Sequence, residues 1–127
     1  MLIKGGGPLV ADQIQYAVHW EIHDGKLDEF KALVAEATAL VEQNEPDMQG
    51  YNWYLNADST ECTLIEQYPS AAHILTHLGN VGETLGKLLE VSNISINVYG
   101  TIDDAARGAL DPLGAVYHDT LGGFSRY

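Results

Sequence analysis

Thr63-Leu64-Ile65-Glu66-Gln67-Tyr68-Pro69-Ser70-Ala71-Ala72-His73-Ile74-Leu75-Thr76-His77-Leu78 is the stretch whose reading decides the fold. From Cys62 to Tyr68 it reads as a strand, in which successive side chains point to opposite faces, so Leu64, Glu66 and Tyr68 share one side. Pro69 has no N–H to give a ladder and ends the strand. Ser70 is then an N-cap candidate for a helix that carries two histidines four residues apart. With Ala71, Ile74, Leu75 and Leu78 as the buried stripe, His77 falls on its border and His73 further into solvent.

Working outward, Ile14 to His23 alternates without a break: Ile14, Tyr16, Val18, Trp20 and Ile22 on one face, Gln15, Ala17, His19, Glu21 and His23 on the other. Strict period two predicts a half-buried strand. After the Asp24-Gly25 turn, Leu27, Phe30, Leu33, Val34, Ala37, Leu40 and Val41 recur at threes and fours, which predicts a helix from Lys26 to Asn44. Pro46 and Gly50 punctuate its end. Tyr51, Trp53 and Leu55 make a second strand, joined through Asp58-Ser59-Thr60 to the third as a hairpin. The second helix is expected to break near Gly79-Asn80 and to resume from Glu83 to Val91, where Gly82 and Gly86 weaken it. Asn93 to Tyr99 alternates again. The order strand, helix, strand, strand, helix, strand is the split βαβ arrangement of a ferredoxin-like α+β fold, with four antiparallel strands.

That domain spans residues 14–100. Residues 1–13 form a lead, expected to be flexible, whose Gly5-Gly6-Gly7 precedes no strand-to-helix turn of phosphate-binding form. Residues 101–127 form a C-terminal extension: a short helix over Ile102 to Arg107 started by Asp103 or Asp104, a turn at Asp111-Pro112-Leu113-Gly114, a short strand at Val116 to His118 and a loose tail. A partner subunit is the surface such an extension is expected to pack on.

A net charge of −12 on 127 residues argues against nucleic acid and anionic membranes, since neither gains by counterion release against an acidic surface. No apolar run has the length of a membrane span. The single Cys62 cannot form an internal disulfide, which suits the cytoplasm. Asn93-Ile94-Ser95 has the form of a glycosylation acceptor but falls inside a strand.

Two helices on one side of the sheet should cover its apolar face. That face gathers Tyr16, Val18, Trp20, Ile22, Tyr51, Trp53, Leu55, Leu64, Ile94, Ile96 and Val98, together with Glu66 and Tyr68. A carboxylate among aromatics is the polar anomaly. It is either a general acid or base in an aromatic pocket, or a group that hydrogen-bonds the helix start at Ser70. The aromatics suit a flat ligand and are also ordinary core residues. His77 is a candidate proton-transfer group beside it. His73 and His77 lack a third ligand and do not make a metal site. The opposite face is mixed, with His19, His23, Tyr54, Ile65 and Tyr99, and suits water or a subunit contact. Cys62 has no neighbouring cation to activate it. Arg107 and Arg126, the only arginines, sit in the extension.

His19-Trp20-Glu21-Ile22-His23-Asp24-Gly25-Lys26-Leu27-Asp28-Glu29-Phe30 resembles the first strand and helix of the antibiotic biosynthesis monooxygenase family. Leu64 to Ala72 resembles its strand-to-helix junction, and Thr76-His77-Leu78 its helical Ala-His-Leu. The resemblance implies a dimeric α+β barrel, each subunit keeping its own cavity between sheet and helices. It also implies oxidation of phenols or quinols by molecular oxygen with no metal or flavin. Glu66 and His77 match the family at their positions, whereas the family's frequent Trp at the strand end is Tyr68 here. Haem-degrading relatives use an Asn, a Trp and a later helical His where this chain has Val18, Tyr68 and the His-free stretch Val81 to Leu89, so haem breakdown is not implied.

The expectation is therefore a cytoplasmic homodimer that oxygenates an electron-rich aromatic without cofactor. Glu66 and His77 are its catalytic candidates, and Tyr16, Trp20, Trp53, Tyr68 and His73 contact the substrate. A non-catalytic dimeric module that binds a small apolar ligand or acts in a stress response, and a cofactor-free isomerase or lyase, are the alternatives.

Overall fold

The computed structural model describes residues 13–126; apart from Gln13, the lead with its glycines lies outside the described residues, as does Tyr127. The period-two runs form β1 (Ile14–Ile22), β2 (Gly50–Leu55), β3 (Glu61–Tyr68) and β4 (Ser92–Tyr99), and the helical runs form α1 (Leu27–Asn44) and α2 (His73–Val91). The strands pair antiparallel in the order β2-β3-β1-β4, the ferredoxin-like topology.

The expected four-stranded antiparallel sheet needs a correction. A fifth strand, β5 (Val116–His118), adds parallel to β4 and makes the sheet mixed. Parallel neighbours require a crossover, here α3 (Asp104–Leu110) followed by a 3-10 turn over Asp111–Leu113. Asp103 caps α3 by accepting the Ala106 N–H at 2.8 Å. Ala106 and Leu110 are each 1% exposed, so this segment is packed on its own sheet. It also covers the edge that β4 would otherwise leave open.

α1 and α2 lie against the apolar face, burying Tyr16, Val18, Trp20, Leu64, Ile96 and Val98. Leu55 departs from expectation: at the last residue of edge strand β2 it is 41% exposed. α2 departs further. It runs unbroken through Gly79 and Gly82 because Ile74, His77, Val81, Thr84, Leu88 and Val91, spaced three and four apart, all face inward. Their burial outweighs the glycines' poor helix propensity, about 1 kcal/mol each. His77 therefore belongs to the buried stripe rather than its border, and Leu75 is 50% exposed. Ser70 is not the cap: the helix starts at His73 with Ala72 at the N-cap and no capping side chain.

An added Cβ at Gly82 or Gly86 meets nothing within 4 Å, and both residues face solvent. Gly82→Ala and Gly86→Ala are each expected to stabilise the fold by about 0.5–1 kcal/mol through the unfolded chain's lost freedom. Thermal denaturation checks this, and a lowered melting temperature in both variants contradicts the reading of α2 as strained only by its glycines.

Candidate active site

Strands β1 to β4 form the floor of a cavity whose roof is α2, with Ala37 of α1 and Leu110 and Leu113 closing its sides. Its volume is about 50 Å³, and most of its wall is aliphatic. One end is polar. There Glu66, 4% exposed, stands on β3 directly opposite Tyr16 of β1 and Tyr51 of β2.

The parity that places Glu66 under the helices also places Tyr68 there, and its hydroxyl donates to Glu66 Oε1 at 2.6 Å. His77 descends from α2 and brings Nε2 to 3.0 Å from the same oxygen. Both contacts fall on Oε1, which leaves Oε2 as the oxygen with which this carboxylate can meet a ligand. The other ring nitrogen, Nδ1, lies 2.9 Å from Glu45 Oε2. The imidazole is thus held between two carboxylates, with side chains only 5–7% exposed.

Glu45 is the residue sequence reasoning missed. It ends α1 just before Pro46, which disfavours continued helix at the residue preceding it. Glu45 accordingly leaves the helical region, at φ −130° and ψ 68°, and its carboxylate turns inward. The Glu-Pro pair marks a helix end and nothing more, because the partner histidine lies 32 residues away.

Burial by itself would lower the His77 pKa, but hydrogen bonds to Glu45 and Glu66 and their negative charges outweigh it and lift it from 6.5 to about 9. At neutral pH the ring is an imidazolium, donating from both nitrogens. Burial, followed by the charge of Glu66, pushes the phenols of Tyr16, Tyr51 and Tyr68 above their ordinary range. All three remain protonated, so the phenols are hydrogen-bond donors around Glu66. The walls carry no lysine or arginine, which makes His77 their cation.

Of the residues singled out from the sequence, Glu66, His77, Tyr16, Trp20 and Trp53 come together around the cavity. Tyr68 stands behind Glu66 without lining the space. His73 lies outside, lining a separate pocket with Glu45 and Tyr68, its Nε2 3.7 Å from Asp47. Glu66 does not bond the Ser70 helix start; its partners are Tyr68 and His77. Cys62 is buried, which raises its thiol pKa and disfavours the thiolate. On the far side of the sheet His19 lies 3.3 Å from Glu61 and His23 3.0 Å from Asn93. Among the described residues no group of three or more His, Cys, Asp or Glu side chains could hold a metal ion. No helix there is long and apolar enough to cross a membrane.

Fold and cavity define a ferredoxin-like α+β domain with a largely apolar pocket between sheet and helices, polar at the end where Glu66 and His77 meet. The sequence profile of the antibiotic biosynthesis monooxygenase family matches residues 16–81, more than half of the chain, and the chain belongs to that family. Among solved structures, MupZ from Pseudomonas fluorescens is similar at 24% identity and a TM-score of 0.79, over 91% of this chain and 95% of that one. That share cannot be reached without part of the segment beyond Gly100. SnoaB, a cofactor-independent oxygenase from Streptomyces nogalater, is similar at 16% identity and a TM-score of 0.62, over 73% and 96%. Rv0793 from Mycobacterium tuberculosis is similar at 18% identity and a TM-score of 0.63, over 73% and 98%. At these identities the likeness is one of fold. No curated protein matches the chain.

Proposed function

We propose that this family member is a cofactor-independent monooxygenase acting on an electron-rich aromatic of phenol or quinol type. The observation that carries the reading is Glu66, a carboxylate with one oxygen uncommitted, facing a mainly aliphatic cavity that four aromatic side chains also line, beside an imidazolium. SnoaB, a cofactor-independent oxygenase of the same fold, supports it.

Glu66 Oε2 takes the substrate's hydroxyl proton, and the His77 charge offsets the anion that forms. The aryl oxide passes an electron to O2, and recombination gives a ring peroxide that takes the proton back from Glu66 to become the hydroperoxide. Loss of water from it leaves a quinone, so one oxygen atom enters the product and the other leaves as water. The aliphatic wall keeps bulk water from competing for the proton. A fused-ring substrate is larger than the present space, so its entry displaces the half-buried Leu78, Leu85 and Leu113. Oxygen uptake over a panel of phenols and quinols, with quinone analysis, tests the reading. Absence of uptake across the panel refutes it.

The charge state of His77 favours one second reading. An imidazolium beside a carboxylate can add and remove protons on a single substrate with no oxygen consumed, as an isomerase or lyase does. Conversion under nitrogen separates the two. Saturable binding without conversion in air or nitrogen reassigns the chamber to ligand binding alone.

We place the protein in the cytoplasm as a homodimer paired through the outer face of the sheet. On that face Tyr54 and Tyr99 are 58% and 44% exposed, and Ile65 sits between Asn52 and Ala17. Ile65→Asp puts a charge at its centre and is expected to weaken self-association at least tenfold. Sedimentation equilibrium measures it; an unchanged dissociation constant moves the interface elsewhere.

A further inference from the structure

The segment beyond Gly100 enters the cavity. Leu110, at the end of α3, and Leu113, on the 3-10 turn, line it together with Ile94 and Ile96 of β4. α3 lies against α2 and the 3-10 turn against β4, so the two leucines close the chamber on the β4 side. Glu66 stands on β3, and the strand order β3-β1-β4 separates it from that wall by two strand spacings, about 10 Å. One ring with its hydroxyl fits within that distance; a second ring laid end to end with it does not.

The wall is fastened from behind. β5 pairs with β4 and places Tyr117 level with Val98, on the helix side of the sheet. The Tyr117 hydroxyl donates to Asp111 Oδ1 at 2.6 Å, and the Arg107 guanidinium lies 4.3 Å from the centre of its ring. Arg107 precedes Leu110 and Asp111 precedes Leu113, so one tyrosine on β5 clips the backbone that carries both leucines. Leu110 is fully buried, whereas Leu113 is half-buried and can turn aside.

We propose, resting on the reading of the chamber as the substrate site, that the C-terminal extension is its specificity-determining wall. Leu113 is the residue that limits substrate length, and Tyr117 is its positioning residue. Both lie well beyond residues 16–81, the stretch by which the chain belongs to its family, so the limit is set by this chain's own extension and not by the family's common part. A substrate too long for the closed wall must push Leu113 out of a turn that the Tyr117–Asp111 hydrogen bond holds in place. Discrimination then falls on length, at the end of the chamber away from Glu66, and leaves the proton chemistry untouched.

Two phenols of different length test it. Phenol and 4-phenylphenol share the hydroxyl and differ in the second ring, and calorimetry under nitrogen gives the ratio of their affinities. A methylene more or less in an apolar pocket changes recognition about tenfold or more. Leu113→Ala is therefore expected to shift the ratio at least tenfold toward 4-phenylphenol. Leu113→Phe, which fills the same space, is expected to weaken 4-phenylphenol at least tenfold and phenol less than threefold. Tyr117→Phe removes the hydroxyl, keeps the ring beside Arg107 and is expected to shift the ratio at least threefold toward 4-phenylphenol. A general loosening of the fold lowers both affinities together and does not move the ratio; Leu113→Val carries the test if Leu113→Ala does not fold. A ratio unmoved by the Leu113 variants, a shift in the opposite sense, or no binding of either phenol overturns the proposal. The wild-type ratio in Tyr117→Phe overturns its positioning role. A shifted ratio without oxygen uptake leaves the wall standing and sinks the oxygenase reading; uptake with an unmoved ratio does the reverse.

Discussion

His77→Gln is expected to lower the stability of the fold by about 3–5 kcal/mol, the usual cost of deleting one partner of a buried ion pair. Glu45 and Glu66 both contact the ring, and their side chains are 7% and 5% exposed. Without the cation two carboxylates are left in the same interior, and either one takes up a proton or the end of α1 opens to water. The effect depends on pH. The folded-state pKa of about 9 lies above the ordinary 6.5, so the imidazolium's stabilisation is complete below about pH 6.5 and disappears as pH rises through about 9. At ~1.36 kcal/mol per unit the pH-dependent part is on the order of 3 kcal/mol. Urea unfolding between pH 6 and 10 should therefore show the wild type losing stability while His77→Gln stays flatter, with the two curves converging at the alkaline end. Parallel curves across that range mean that the ring is neutral in the folded protein.

Glu66→Gln is expected to reduce turnover by roughly 10²–10⁴, the ordinary contribution of a positioned base, with a much smaller effect on stability. The glutamine keeps the side chain's shape, and its carbonyl oxygen can still accept from Tyr68 and from the His77 N–H. Its amide cannot accept the substrate proton. Steady-state oxygen uptake on a turned-over phenol, with melting temperature measured in parallel, separates chemistry from folding. A rate within threefold of wild type removes Glu66 from the proton-transfer role. A proportional loss of rate and melting temperature assigns it to the fold alone.

The two variants probe one cluster whose parts were unequally visible in the linear sequence. Glu66 could be placed because strand parity is local: sharing a face with Leu64 and Tyr68 follows from their spacing alone. His77 is visible by residue type, but its depth is not. Helical periodicity admits more than one stripe, and spacing alone does not separate the exposed Leu75 from the inward-facing Val81 and Thr84. Nothing local marked Glu45, since a Glu-Pro at a helix end is compatible with full exposure. Trp20 and Trp53 are legible as ring surface, and that their buried indole N–H groups have no partner among the described residues emerges only once every neighbouring acceptor is placed.

By itself the sequence determined the alternating and helical periods, hence the βαββαβ order, the apolar face of the sheet and the anomaly of Glu66 upon it. Those properties are set by residues a few positions apart. The tertiary structure alone decided that α2 passes through its glycines, that β5 joins β4, and that Glu45 and Glu66 grip His77 from opposite sides. Each of these depends on packing summed over distant segments, and it is the Glu45 and Glu66 carboxylates this packing brings to the ring that hold a buried imidazolium against the cost of burial.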